Sequence, residues 1–275
     1  MSLLRLRWPT PNGLPPRLIW MPLLIVAVLL AISEHLVEFS PLFVLSKIDE
    51  IGAFIARMFE NPPPLDYLPQ LAEKMLETIE MAILATLIAA VISLPMGFLA
   101  AHNATPHPLV GQVVRDLLSF FRALPELVWA LVFVSAIGLG PFPGILAIAV
   151  VSIGFMAKFF AEAIEVVNKG PIEGIHATGA GWFQVRYFAM FPQALPDFVG
   201  TLLYVLDHNL RAATVLGIVG AGGIGFDLIN SIRYFEFDRL IIIVLAIYLA
   251  VTVVDRLSDT LRTRIIQGGG CKHGS

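Results

Sequence analysis

Between Glu80 and Arg115 the chain has no Asp, Glu, Lys or Arg, and the same holds from Leu127 to Ala157. A helix crosses the hydrocarbon core of a bilayer with about 20 mostly apolar residues, so each stretch is long enough to span it. Of the 275 residues, 57% are hydrophobic and only 14% charged, with a mean hydropathy of +0.81. An average soluble domain carries roughly 25% charged residues, and a water-soluble fold would have to hide this excess of apolar surface. The chain therefore reads as an all-α, polytopic membrane protein. A net charge of −3 lacks the basic footprint that nucleic-acid binding needs. The single Cys271 leaves no internal disulfide and no cysteine metal site, and the six His residues show no ligand spacing.

The pattern predicts about six spans, near residues 18–33, 78–101, 118–139, 144–166, 194–216 and 239–257. The first follows Arg5, Arg7 and Arg17 but lacks a small-residue cleavage site, so it reads as an uncleaved span. Residues 41–60 place Leu45, Ile48, Ile51, Ile55 and Met58 at helical spacing among Lys47, Asp49, Glu50 and Arg57, the pattern of an amphipathic helix on a membrane or a neighbour. Asn61-Pro62-Pro63-Pro64 ends it, because consecutive prolines cannot continue a helix. This divides the chain into an N-terminal span with interfacial helix and Pro-rich linker (1–70), a core (71–265) and a Gly-rich flexible tail (266–275). Lys and Arg favour cytoplasmic loops. With the N-terminus inside, Arg115, Lys169, Arg186, Arg256, Arg262, Arg264 and Lys272 join the N-terminal arginines there, while outer segments hold Lys47, Arg57, Lys74, Arg233 and Arg239, mostly diluted by acids. Both termini are expected in the cytoplasm.

Residues 168–193, NKGPIEGIHATGAGWFQVRYFAMFPQ, form a polar island too long for a connection between helices, typically 2–8 residues. Pro171 suits a first helical turn, Glu173 complements the helix dipole there, and Gly179 permits a turn. Trp182, Phe183, Tyr187 and Phe188 then present aromatic surface ahead of Pro192. Such a surface helix suits docking of a soluble partner; packing only against its own bundle would also explain it.

The spacing of Glu173, Gly179 and Pro192 resembles the EAA loop of ABC-importer permeases, with Glu173-Gly174-Ile175 in place of the usual Glu-Ala-Ala, then Ala177 and Gly179-Ala180. The wider text, Arg122–Ala130, Gly138–Gly144, Phe159–Glu165 and Asn209–Gly225, is similar to the phosphonate-importer permease branch over about residues 75–260. The resemblance implies a type I ABC importer permease-like bundle, homodimeric, in a bacterial inner membrane. It implies two cytoplasmic ATPase subunits and a periplasmic substrate-binding protein as partners besides a second copy of the chain and lipid. The 171–181 helix would be the coupling helix, transmitting ATP-driven closure as rigid-body motion. ATP and Mg would sit on the ATPase subunit, since no G-x-x-x-x-G-K-[ST] occurs here; no cofactor, metal or catalytic residue is expected in this chain.

Gly220-Ala-Gly-Gly-Ile-Gly225 satisfies G-x-G-x-x-G, but that motif binds dinucleotides only between a strand and a helix, with an acid about 20 residues on. An apolar span precedes it here. Gly220, Gly222, Gly223 and Gly225 instead suit non-helical backbone at membrane depth, and the resemblance implies a gate or lining on the periplasmic side. Ionisable residues in spans mark functional positions by default. Arg122 with Glu126, Lys158 with Glu162 and Arg211 with Asp207 are spaced to pair along one helix face. Arg211, beside His208 and Asn209, falls near the outer end of its span and is the candidate anion contact. The reading is the permease subunit of an ATP-driven importer of phosphonate or a related oxyanion such as phosphite or hypophosphite. The alternatives are a permease for methionine or another amino acid, an intramembrane enzyme, whose converging nucleophile or ligands are not seen, and a secondary transporter, whose internal repeat is not seen.

Overall fold

The computed structural model describes residues 20–22, 24–29, 45–59 and 64–270, with the backbone alone at 65 and 264–270. The chain divides into two compact units, Met1–Arg57 and Met58–Ser275. In the first, residues 20–22 and 24–29 are helical; the rest of the expected span at 18–33 lies outside the described residues. Helix α1, Ile48–Met58, lies within the expected amphipathic segment and buries none of its side chains. Lys47 and Glu50 pair at its start.

The second unit is built of α2 (Leu68–Ala100), α3 (Pro108–Ala123), α4 (Glu126–Ile137), α5 (Pro141–Glu165), α6 (Lys169–Ala177) and α7 (Trp182–Val185). A π-helical turn, Arg186–Met190, joins α7 to α8 (Phe191–Leu216), and α9 (Ile224–Arg233) and α10 (Phe237–Gly270) follow. Among the described residues four helices are long and apolar enough to cross a membrane, and the bent pair α3–α4 makes a fifth crossing if it acts as one. The helix expected at 78–101 starts ten residues earlier, at Leu68, because the polar turn with the Lys74–Glu77 ion pair (2.6 Å) is helical too. Helix α10 runs on to Gly270, into the segment expected as tail.

Helix α5 is the centre of the bundle, with 15 of its 25 residues buried, whereas α10 buries only Leu240 and Ile243 among its described side chains and turns most of its surface outward. Helix α2 packs along it through a stripe of small residues, Ala82, Ala85, Ala89, Ser93, Gly97 and Ala100, spaced three or four apart. Small side chains let helix backbones approach where lipid offers no hydrophobic drive to associate. At Gly97 the approach is close: a Cβ there would lie 2.8 Å from Phe160 Cβ. One core cluster gathers Met156, Phe160, Ile164 and Phe198, and another Met81, Ala147, Ile148, Leu216 and Ala221.

The span expected as one helix over 118–139 is broken. Leu124 is extended (φ −110, ψ 136) and α3 and α4 meet at 85°. Pro125 is the cause, because its ring disfavours the α conformation at the residue before it. The break overturns the expected Arg122–Glu126 pair: Glu126 instead meets His208 Nε2 at 3.1 Å.

One polar thread ties the middle of the bundle. Ser152 Oγ donates to Asn209 Oδ1 (2.8 Å), Asn209 Nδ2 donates to Thr86 Oγ1 (2.9 Å), and Thr86 donates on to the Ala82 carbonyl (2.7 Å). Interhelical hydrogen bonds in membranes contribute about 1 kcal/mol, and an orphaned buried hydroxyl costs about 1–3 kcal/mol. Asn209→Ala is therefore expected to lower the melting temperature of the purified chain, with Asn209→Gln, too long for the gap, failing to restore it. An unchanged melting temperature for Asn209→Ala would show that the thread adds no stability.

Candidate functional site

The loops of the second unit collect at two ends. One end holds the α2–α3 turn and the segment from Glu165 to Arg186: Arg186 Nε donates to the Ala104 carbonyl (2.7 Å), Asn103 Nδ2 to the Ile164 carbonyl (2.8 Å), and Glu165 accepts from the His102 backbone and Nδ1 (2.8 and 2.7 Å). Helix α6 stands there. Its first turn is capped by Asn168, whose side chain accepts from Gly170 N (3.0 Å), so it opens two residues before the expected Pro171. Glu173, Gly174 and Ala177 are exposed, and α6 has no buried residue; Ile172 and Ile175 alone are partly covered toward the bundle. Gly179 turns the chain at φ +79 and is exposed, while Ala180 is half-buried.

The segment after α6 forms an aromatic shelf. Trp182, Phe183, Tyr187 and Phe188 are all exposed, with Phe183 and Tyr187 stacked at 6.3 Å and Arg186 lying 3.9 Å over Trp182. Pro192 has no N–H to return to the preceding turn, and the chain accommodates this with the π-helical turn, in which Phe191 N reaches back to the Arg186 carbonyl. Next to the exposed Pro192, Gln193 bonds the start of α6 to α8: Asn168 N donates to Gln193 Oε1 (3.1 Å) and Gln193 Nε2 donates to the Ala189 carbonyl (2.7 Å). Nothing in the spacing of the sequence singles out Gln193 or Arg186 as the residues that fix α6 and the shelf in place.

The other end holds the glycine break. A 3-10 turn, Gly217–Val219, ends α8, and Gly220, Gly222 and Gly223 follow with φ of 82, 79 and 69. Gly223 N donates to Glu77 Oε1 (3.1 Å) and Ile224 N to Thr78 Oγ1 (2.8 Å), so α2 supplies the partners that the unwound backbone lacks. Gly140 N pairs with the Gly220 carbonyl (3.0 Å) from the α4–α5 turn. A helix, Phe191–Leu216, precedes the glycines, so the strand that a dinucleotide fingerprint needs is missing. Tyr67 donates to Asp227 Oδ2 (2.8 Å); burial and that carboxylate push the phenol pKa up, which keeps it a donor.

Along α8, Asp197, Tyr204, His208, Arg211 and Val215 are exposed at steps of three, four or seven residues, one face of the helix. Thr201 lies on the same line, half-buried, and with Asp197, Tyr204, Phe159 and Arg262 lines a cavity of about 340 Å³. The stripe brings His208 and Arg211 together, Arg211 with Asp207 at 2.5 Å and His208 with Glu126. It does not include Asn209, which points into the bundle and spends its amide on Thr86 and Ser152. The Lys158–Glu162 pair stands as expected, at 3.6 Å.

Known proteins share both the sequence and the fold. The phosphate-import permease protein PhnE of Mycolicibacterium smegmatis is 41% identical over 234 residues, 82% of this chain, although the chain spans only 44% of that protein's length. The phosphite transport system permease protein PtxC of Stutzerimonas stutzeri is 44% identical over 201 residues, 73% of each chain. A chain of the MetNI methionine ABC transporter, solved in inward-facing conformations, matches with a TM-score of 0.63 at 22% identity, over 74% of this chain and 99% of that one. That likeness shows the fold, the bundle of a type I importer permease. Residues 93–267 match the family described as binding-protein-dependent transport system inner membrane component, and with apolar helices long enough to cross the membrane several times the chain belongs to that family.

Proposed function

We propose that the chain is the permease subunit of an ATP-driven bacterial importer of a phosphorus oxyanion, phosphonate or a relative such as phosphite, hypophosphite or phosphate. The observation that carries the substrate class is the likeness to the phosphite permease over 73% of both chains. The methionine reading draws on a likeness of 27% identity to a probable D-methionine permease of Pasteurella multocida, and is the weaker for it.

Two features of the geometry support the partners. The end that carries α6 is taken as cytoplasmic, with ATP and Mg on two ATPase subunits that receive Glu173, Gly174, Ala177, Gly179 and Ala180; both termini are assigned to the inside from the distribution of Lys and Arg. The polar stripe of α8 supports a second copy of the chain. A charged side chain facing hydrocarbon is costly, so Asp197, His208 and Arg211 call for protein or a watered path opposite them, and a two-fold pair of stripes supplies both. Substrate from a periplasmic binding protein would enter at the glycine break, Gly220 to Gly225, and pass His208 and Arg211. Asn209, in this reading, holds the lining helix in place from behind.

Uptake by proteoliposomes that contain the chain, its ATPase and the binding protein tests the proposal. Phosphorus oxyanion should accumulate with ATP and methionine should not; accumulation of methionine in place of the oxyanion overturns the substrate class, and uptake without any ATPase overturns the coupling. Arg211→Ala should slow uptake roughly tenfold, the worth of a charge-assisted contact made in transit, with assembly and ATP hydrolysis retained. Normal uptake by that variant removes Arg211 from the path.

A further inference from the structure

A second cleft, of about 230 Å³, opens between α3 and α5 at the end of the unit that carries α6. Three cations line it, Arg115, Arg122 and Lys158, and their commitments differ. Arg115 is spent on the Ala100 carbonyl (2.7 Å) and Gln112 (3.3 Å). Of the two acids, Glu165 is held by His102, and Glu162 reaches Lys158 only at 3.6 Å. Arg122 makes two long bonds, to the Leu118 carbonyl and Ser119 Oγ, both 3.4 Å, and has no carboxylate in ion-pair range among the described residues.

The broken span leaves Arg122 in this state. Its expected partner, Glu126, is carried away by the 85° bend. What holds the arginine is packing: its stem lies on the bare backbone of Gly154, where a Cβ would come within 2.6 Å of Arg122 Cγ, and its guanidinium sits 5.7 Å from the Phe155 ring centre. A guanidinium fixed by its stem, with Nε and Nη2 engaged only in long bonds of 3.4 Å and Nη1 in no hydrogen bond among the described residues, is prepared for an oxyanion. Lys158 lies seven residues before the end of α5, roughly 10 Å along the axis, a depth from which its ammonium reaches water or a headgroup.

We propose that this cleft is a binding site for a phosphate-type oxyanion, with Arg122 and Lys158 as its two cationic ligands. Two sources offer that chemistry at this end of the bundle: the transported anion on leaving, and the phosphate of an anionic lipid, for which basic pockets between spans are suited. The first source rests on the import reading above; the site itself does not.

The full-length chain, without ATPase or binding protein, is placed in nanodiscs of phosphatidylcholine and probed with labelled inorganic phosphate. In parallel, discs with added phosphatidylglycerol are examined for lipid retained on the protein by native mass spectrometry. Arg122→Gln with Lys158→Gln should lower occupancy of the cleft roughly tenfold or more, and Lys158→Gln alone by roughly threefold. Loss of inorganic phosphate identifies the free anion as occupant, and loss of phosphatidylglycerol alone identifies the lipid; either supports the site. Equal retention of both probes by wild type and variants, or binding of neither probe to wild type, overturns it. If the double variant does not fold, Arg122→Lys and Lys158→Gln make the same comparison with less change. A wrong import reading would show itself in the uptake assay and leave these binding results unaltered.

Discussion

Gly225→Val is expected to unfold the glycine-rich end of the bundle and leave the chain unable to be purified in folded form. Here two backbones touch. A Cβ on Gly225 would fall on the Thr214 carbonyl oxygen, and a Cβ on Gly217 would fall on the backbone of Gly225 and Phe226. The obstacle in each case is main chain, which cannot rotate aside as a long side chain can. Relief requires α8 and α9 to separate, and that would pull Gly223 and Ile224 away from Glu77 and Thr78, exposing N–H groups with no other partner. Overpacking of this kind costs about 3 kcal/mol or more, a large fraction of an ordinary domain's stability. Gly225→Ala should already lose most of the stability, because the first carbon makes the clash. Gly52→Ala, with nothing within 4 Å of its added Cβ, should lose none. Thermal unfolding in detergent with protease protection as a second readout measures all three. A Gly225→Ala protein that melts with wild type would mean that the crossing of α8 and α9 is not as drawn.

That crossing also shows where sequence reasoning reaches its limit. The glycines at 217–225 announce unwound backbone, and the charge-free stretches announce spans, because both are local properties of composition. The partners Glu77 and Thr78 stand 146 residues away from the N–H groups they receive, and no local pattern points to them. The bend at Leu124 has a local signal, since Pro125 disfavours the α conformation at the residue before it, but Pro95 and Pro196 are carried inside α2 and α8, and the apolar run across Pro125 argues for one span when hydropathy is read alone. Once the bend is missed, Arg122 and Glu126 look like a pair at helical spacing, and the true partner of Glu126, His208, cannot be found. The α8 face repeats the lesson in milder form. His208 and Arg211 share a face by helical arithmetic, and Asn209, one residue from His208, turns about 100° away. Which of the two faces looks into the bundle is decided by Thr86 and Ser152 on other helices.

Ala177→Arg is expected to cut ATP-driven uptake roughly thirtyfold while leaving the permease about as stable as wild type. The reasoning turns on what α6 lacks. It buries no residue, and Ala177 is exposed at its last turn, so an arginine side chain extends into open space without meeting the chain itself. Surface changes of this sort alter stability by about 0.5 kcal/mol or less. A cytoplasmic partner seated on α6 would find a long cation where it expects a methyl group, and loss at the centre of an interface commonly costs 2 kcal/mol or more, roughly thirtyfold in affinity. Co-purification of the ATPase should therefore fall by about that factor, and uptake with it. Gln193→Ala should act differently if α6 is the coupling surface proposed above: the ATPase stays bound, but the bond from Asn168 to the first turn of α8 is gone, so ATP should be hydrolysed with less transport per turnover. The two variants together separate docking from transmission. If Ala177→Arg keeps both its ATPase and its uptake, α6 only packs against its own bundle, and the coupling surface lies elsewhere on the chain.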